Sequence, residues 1–190
     1  WAQVRLAVGA AWDSDTAARL RGVLVATFGV LLVVAFATFD VSDPSWNAAT
    51  AEAPSNLLGK FGAFWSDVWL QSLGLAAWTA ALLMVAAGLA RASAREPGAT
   101  RLHLRLRATV GVLGVLMLAG ALAAPVPPAA WPLSRGLGGF WGDALLGQLT
   151  ALIDLIGLPG PELIAATILA LSGLFAVGFA IGLRRRDLGV

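Results

Sequence analysis

Residues 91–107 read RASAREPGATRLHLRLR, and this stretch determines how the rest of the chain is arranged. It holds five arginines and the only histidine of the chain, His103, between two long apolar runs. An arginine at the centre of a bilayer costs roughly 2.5–3.5 kcal/mol on the insertion scale, so a segment with several arginines stays on the side where it is synthesised. We therefore predict that residues 91–107 form a cytoplasmic loop.

The composition indicates an integral membrane protein. The chain has 190 residues, of which 58% are hydrophobic and 13% are charged, whereas a soluble domain has about 25% charged residues. It contains no cysteine, which excludes disulfides, thiolate metal sites and cysteine nucleophiles. Its apolar residues form runs long enough to cross a bilayer, and these runs predict spans at residues 22–39, 68–90, 108–124 and 162–183.

The positions of the basic residues predict the orientation. Eleven of the thirteen Lys and Arg residues lie in residues 1–21, 91–107 and 184–190, whereas residues 40–67 and 125–161 contain one each. Cytoplasmic segments carry an excess of Lys and Arg. We therefore predict two hairpins in a bacterial inner membrane, with both termini cytoplasmic and two outer, periplasmic loops.

Local signals predict where the helices begin. The cluster Asp13-Ser14-Asp15-Thr16 is typical of a helix start, because its side chains can accept first-turn N–H groups. We expect residues 101–107 to continue into the third span as one helix. Residues 144–156 have helical spacing but carry Asp154, which favours a helix that lies at the interface. The predicted fold class is all-α, with four transmembrane helices and short interfacial or periplasmic helical segments in the outer loops.

The two outer loops contain an internal repeat. Residues 62–70 (GAFWSDVWL) match residues 138–146 (GGFWGDALL) as G-x-F-W-x-D-x-x-L. Both copies follow the first span of a hairpin, so the repeat is parallel. The matched Asp67 and Asp143 are predicted to cap helix N-termini, where a carboxylate faces the positive end of the helix dipole.

Aromatic residues are concentrated in these outer loops. Trp46, Phe64, Trp65 and Trp69 suit an interfacial belt, in which rings lie at the level of the lipid headgroups. The alternative is a surface that docks a partner, and its candidate residues are Asp43, Pro44, Trp46, Phe64, Trp65 and Trp141.

We do not predict an enzymatic activity for this segment. We expect no catalytic residue, cofactor or metal site, and we interpret His103 as a solvated loop residue. Small residues at four-residue spacing let helices approach closely. The pairs Ala76/Ala80 and Gly178/Gly182 have this spacing, and they predict packing either within the bundle or between subunits.

Several motifs are similar to one known family. They are SDPSW at residues 42–46, NLLG at 56–59, Gly62-Ala63, LGLA at 73–76, and Gly138-Gly139 with Gly142. With four spans, this pattern resembles the N-terminal membrane domain of the FtsK/SpoIIIE DNA translocases over residues 22–183. The resemblance implies an anchor for an ATP-driven, hexameric DNA pump at the division septum, with a linker and motor after Val190. It also implies contacts with other division proteins. From the composition and the position of the arginines we expect contact with the lipid bilayer and no nucleic acid bound by this segment.

Three alternatives remain at this point. A small transporter or channel would need a polar path, for which Gln71, Thr79 and Ser172 are candidates. An accessory subunit of an unrelated membrane complex would share the span layout. Residues 91–107 could also bind DNA, although topology and contact with anionic lipid explain the same arginines.

Overall fold

The computed structural model describes residues 1, 12, 14–46, 48, 50–93 and 101–182. Within these residues the regular structure is entirely helical. The six helices are α1 (Asp15–Ala37), α2 (Gly59–Leu73), α3 (Ala76–Ser93), α4 (Arg101–Leu122), α5 (Gly139–Asp154) and α6 (Pro161–Ile181). Four of them, α1, α3, α4 and α6, are long and apolar enough to cross a membrane, so the expected all-α four-span fold class is confirmed. Residues 94–100 of the predicted cytoplasmic loop and the basic residues 184–186 lie outside the described residues.

Helix α1 begins at the residues that the sequence indicates. The hydroxyl of Ser14 accepts a hydrogen bond from the N–H of Ala17 at 3.2 Å, which caps the first turn. At the other end the N–H of Thr38 donates to the carbonyl of Val34 at 3.1 Å and closes the last turn. The predicted helix start is confirmed, and the helix includes a turn before residue 22, where the apolar run begins.

The second predicted span is not one helix. The expected helix over residues 68–90 is divided at Gly74, which follows α2 with a φ of 56°, and α3 begins at Ala76. The N–H of Leu75 donates to the carbonyl of Leu137 at 2.8 Å. This bond lies outside the helix, so the break is stabilised by a residue more than sixty positions away.

The first hairpin consists of α1 and α3, which pack antiparallel at very close range. A Cβ on Gly22 would lie 2.7 Å from the N atom of Ala92, and one on Gly29 would lie 2.8 Å from the carbonyl oxygen of Ala81. The backbones therefore touch where no side chain intervenes, as in other membrane helix pairs. The core of this half is formed by Leu32, Ala35, Phe36, Leu70, Ala77, Ala81 and Leu133.

The second hairpin consists of α4 and α6, and it is joined to the first through α3. Gly114 of α4 faces Ala176 of α6. Ala76 and Ala80 of α3 are buried with Val115 and Ala119 of α4. The predicted packing pair Ala76/Ala80 thus lies within the chain, between its two halves.

The other predicted packing pair has a different role. Gly182 follows α6 in a left-handed conformation, with a φ of 83°, and its N–H bonds back to Gly178 and Phe179. Gly182 therefore ends the helix as a C-cap, a position where glycine avoids the steric penalty of a Cβ. Gly182 also lies beside the guanidinium of Arg107 in α4, and the packing role of the Gly178/Gly182 pair stays a prediction.

Helices α2 and α5 correspond to each other, but not in the register of the sequence repeat. Each begins at a glycine with positive φ, Gly59 at 61° and Gly139 at 64°. In the structure Gly62 therefore corresponds to Gly142, which lies one helical turn beyond Gly138, its match in the sequence repeat. Asp67 is the ninth residue of α2 and Asp143 is the fifth residue of α5. The prediction that these aspartates are the N-caps of α2 and α5 is wrong, because both lie inside the helices, whose N-caps are Leu58 and Gly138.

Candidate docking surface at the loop end

The two outer loops lie at the end of the bundle where α1 and α4 finish and α3 and α6 begin, which we call the loop end. Its first loop, residues 38–58, is held by Asp43. The carboxylate oxygens of Asp43 accept hydrogen bonds from the N–H groups of Ser55 at 2.6 Å and Asn56 at 3.0 Å. Asp43 is only 4% exposed. Both of its carboxylate oxygens close the loop, so the structure gives Asp43 a structural role, and its role in docking stays a prediction.

Asn56 connects this loop to the end of α1. Its side-chain amide donates to the carbonyls of Ala35 at 2.9 Å and Thr38 at 3.0 Å, and its Oδ1 accepts from the N–H of Leu58 at 3.1 Å. Carbonyls at a helix C-terminus have no partner within the helix. The buried side chain of Asn56 supplies that partner. The sequence shows Asn56 only as the first residue of the NLLG motif and does not indicate this role.

Thr38 and Asp40 reinforce the same junction. The hydroxyl of Thr38 donates to Val34 at 2.9 Å and accepts from the N–H of Leu57 at 3.2 Å. One carboxylate oxygen of Asp40 accepts from the hydroxyl of Ser42 at 2.7 Å and from its N–H at 2.9 Å. These two bonds, first the hydroxyl and then the backbone bond, lower the pKa of Asp40 below its ordinary value of 3.8.

An aromatic chain extends from α1 to the surface of the loop end. Ring centroids are 6.3 Å apart between Phe28 and Trp65, 5.7 Å between Trp65 and Phe64, and 6.2 Å between Phe64 and Trp46. Trp46 is 77% exposed, whereas Phe64 and Trp65 are half-buried. We call these four residues with Phe61, which packs on Trp65, the first aromatic patch. Of the predicted docking residues in this half, Trp46 presents the most surface, and Pro44 is half-buried beside it.

The second half contributes a smaller patch at the start of α5. Phe140 and Trp141 lie with ring centroids 5.2 Å apart and are both about half exposed. The guanidinium of Arg135 lies 5.7 Å from the centre of the Phe140 ring, which is within the range of a cation–π contact. We call Phe140 and Trp141 the second aromatic patch. Sequence analysis selected Trp141 but not Phe140, although both belong to the repeat.

Reactive groups do not form a recognisable catalytic or metal site in the part of the chain that the structure describes. There, no group of three His, Cys, Asp or Glu residues could hold a metal ion. An open groove of about 580 Å³ lies between α5 and α6, and its lining includes Asp143, Thr150, Asp154 and Glu162. The described features of the loop end are therefore the hydrogen bonds of the first loop and the two aromatic patches.

Comparison with known proteins identifies the bundle that carries these features. The family model described as the 4TM region of DNA translocase FtsK/SpoIIIE matches residues 16–189. The chain belongs to this family. A protein named DNA translocase FtsK from Caulobacter vibrioides is 48% identical over 176 residues, which cover 93% of this chain and 22% of that protein.

More distant relatives agree with this assignment. Proteins with the same name from Agrobacterium fabrum and Azospirillum brasilense are 40% and 35% identical over 123 and 173 residues. These regions cover 65% and 90% of this chain, but only 13% and 26% of the respective relatives. No solved structure matches the chain. The chain thus corresponds to the four-span region of its family and spans about a fifth of the length of these relatives.

Proposed function

We propose that this chain is the non-catalytic membrane anchor of a DNA translocase that acts at the division septum. In this proposal it holds an ATP-driven, hexameric cytoplasmic motor at the division site, and its loop end contacts other division proteins. Membership of the family supports the anchoring role. The observation that carries the docking role is Trp46, which is 77% exposed yet held against Phe64 on a loop closed by Asp43 and Asn56.

An exposed tryptophan whose loop is held by buried hydrogen bonds has the properties of a docking residue. Tryptophan is enriched among the residues that contribute most to binding energy. Side chains and loops that are already ordered lose less entropy when a partner binds. Bilayer anchoring by the same rings is the competing explanation, and the two roles predict different consequences of removing them.

The docking role is tested by replacing Trp46 and Trp141 together with alanine in the full-length protein. Both rings are at least half exposed, so we expect membrane insertion to be retained and recruitment to the septum to be lost. Phe175→Ala is the matched control, because Phe175 is 78% exposed on α6, far along the span from the loop end. Septal fluorescence of a tagged protein measures recruitment, and membrane fractionation measures insertion. Normal recruitment of the double variant would refute docking through these rings.

For the orientation, we propose that the loop end is periplasmic and that both termini are cytoplasmic. Arginines at the opposite end of the bundle support this proposal. Arg91 donates from Nε to the carbonyl of Ala18 at 3.2 Å, and the guanidinium of Arg107 lies beside Gly182 at the end of α6. The absence of cysteine from the chain makes single introduced cysteines unambiguous. An impermeant thiol reagent applied to the periplasmic side should label a cysteine at Glu52 and not one at Ser93. Labelling of position 93 alone would reverse the topology.

Two of the three polar residues considered for a channel path, Ser172 and Gln71, do not favour a channel. The hydroxyl of Ser172 donates to the carbonyl of Ile168 in its own helix at 2.5 Å. Gln71 lies near the end of α2, where its Oε1 accepts a hydrogen bond from Ser134 at 3.4 Å. These side chains are engaged within the chain, so we retain the anchor as the proposed function.

A further inference from the structure

Arginines are gathered at the end of the bundle opposite the loop end, where α1 and α4 begin and α3 and α6 finish. We call it the arginine end. Arg91, which is half-buried in α3, donates from Nε to the carbonyl of Ala18 at 3.2 Å. Arg21, half-buried in α1, donates from Nη1 to the carbonyl of Trp12 at 2.7 Å. Both guanidinium groups therefore have a backbone oxygen of this chain as acceptor.

Arg107 of α4 has no such acceptor. It is half-buried, its Nε is buried without a hydrogen-bond partner, and no hydrogen bond or ion pair joins it to the described part of the chain. A guanidinium carries five N–H donors and does not lose its charge in proteins. A buried donor without an acceptor is unfavourable. Arg107 therefore requires an acceptor that the described residues do not supply.

The end of α6 makes room for this guanidinium but does not satisfy it. A Cβ on Gly182 would lie 3.2 Å from Nη1 of Arg107 and 3.4 Å from both Cζ and Nη2. Because these three distances are nearly equal, Gly182 meets a face of the planar group and not its N–H edge. The N–H donors lie in the plane of the group, so they point past Gly182 to the side of α6.

The depth of Arg107 in the bilayer indicates which acceptor is available there. Helix α6 has 21 residues and is about 31 Å long, and the hydrocarbon core of a bilayer is about 30 Å thick. A helix of this length that begins at one boundary of the hydrocarbon ends at the other, so Gly182 and Arg107 lie at the level of the lipid headgroups. One turn deeper, Gly111 of α4 packs against Ala180 of α6. The acceptor at this level is a phosphate oxygen of a lipid.

We propose that Arg107 binds the phosphate group of one anionic phospholipid in the angle between α4 and the end of α6. A guanidinium forms strong, charge-assisted hydrogen bonds with phosphate oxygens, and basic sites between membrane helices bind lipid headgroups in this way. An anionic lipid fits better than a zwitterionic one, whose own ammonium group neutralises its phosphate. This site is remote from the loop end, and it depends neither on the docking role nor on the orientation of the chain.

Native mass spectrometry of the full chain, released from detergent and titrated with phosphatidylglycerol, measures the affinity for the first bound lipid. We expect Arg107→Gln to weaken this affinity about tenfold, the effect of losing one hydrogen bond to a charged group. Arg105→Gln is the matched control, because it makes the same charge change on the same helix at an exposed side chain. It should change the affinity less than about twofold, since exposed charges are screened. Equal losses in both variants would mean diffuse attraction and would overturn the site.

Two further titrations identify the ligand. Phosphatidylcholine should bind more weakly than phosphatidylglycerol, and Arg107→Gln should not change its affinity. Inorganic phosphate in excess should not displace phosphatidylglycerol from the unmodified chain. Displacement would assign the site to a free anion, and equal binding of the two lipids would remove the preference for negative charge; either result would overturn the proposal.

A purely structural role of Arg107 predicts a different result. If the guanidinium only stabilises the end of α6, Arg107→Gln should lower the thermal stability of the chain and leave the affinity for phosphatidylglycerol unchanged, which would overturn the proposal. Arg107→Lys keeps the charge but loses the planar set of donors. We expect it to bind phosphatidylglycerol more weakly than the unmodified chain, and it decides the proposal if Arg107→Gln does not fold. Unchanged affinity in Arg107→Lys would then refute binding through the guanidinium.

Discussion

Replacing Asp43 distinguishes a structural role from a docking role at the same residue. In Asp43→Ala the N–H groups of Ser55 and Asn56 lose their carboxylate partner. A hydrogen bond to a charged group contributes about 1.5–3 kcal/mol. Ser55 is exposed and its N–H can bond to water, whereas Asn56 is only 4% exposed. We therefore expect the free energy of unfolding to fall by about 2–4 kcal/mol, most of it from the stranded N–H of Asn56.

The measurement is equilibrium unfolding of the chain in nanodiscs, with two companion variants. Asp43→Asn keeps the size of the side chain and one acceptor oxygen, so its loss should be intermediate. Glu52→Ala removes an exposed carboxylate from the same loop and should change the free energy by no more than about 0.5 kcal/mol. Septal recruitment of full-length protein is measured in parallel.

Two results would contradict the structural role of Asp43. One is an unfolding free energy for Asp43→Ala that equals the value for Glu52→Ala. The other is a loss of recruitment at unchanged stability, which would return Asp43 to the docking surface. A fall in stability that Asp43→Asn partly restores would agree with the geometry of the loop.

Two further outcomes are expected. Gly88→Ala should lower the unfolding free energy by about 1–3 kcal/mol through overpacking, because the new Cβ would lie 2.6 Å from the carbonyl oxygen of Gly22. Gly147→Ala is the control, since a Cβ on Gly147 would meet open space. Equal effects of the two substitutions on stability would contradict the close packing of α1 on α3. Ser42→Ala should raise the pKa of Asp40, and this pKa can be measured by NMR from the chemical shift of the Asp40 carboxyl carbon. Since the folded pKa of Asp40 is lowered, its stabilising contribution is complete above the unfolded pKa and is lost as pH falls through the folded value. Below about pH 4, the stability of Ser42→Ala should therefore depend less on pH than that of the unmodified protein. An unchanged pKa of Asp40 in this variant would contradict the hydrogen bond from the Ser42 hydroxyl.

Much of the candidate site could be located from sequence, but not the part that each residue plays in it. The concentration of aromatic residues in the outer loops predicts Trp46 and Trp141 as surface residues, and both are exposed. Asp43 lies in the same segment but is buried. Its burial depends on the backbone of Ser55 and Asn56, twelve and thirteen residues away, and no local pattern shows which N–H groups will turn toward a carboxylate.

The break at Gly74 shows the same limit for the fold. Hydropathy over residues 68–90 is continuous, so the pattern predicts one helix. The break requires the carbonyl of Leu137 and the backbone of Gly139 to be present at Gly74, and these belong to the other half of the chain. Likewise, the repeat of Phe-Trp-x-Asp in the two loops indicated related halves, but the helix starts that align them became visible only at Gly59 and Gly139.

The sequence by itself determined the four apolar helices, the start of α1 at Ser14 and the family. The helices and their start follow from transfer of each residue into lipid and from bonds between near neighbours, which act before distant segments meet. The tertiary structure alone decided the break at Gly74, the burial of Asp43 and the burial of Leu133 in the core of the first half. Each of these depends on a polar backbone group or an apolar side chain that finds its partner far along the chain, because no closer group can satisfy or bury it.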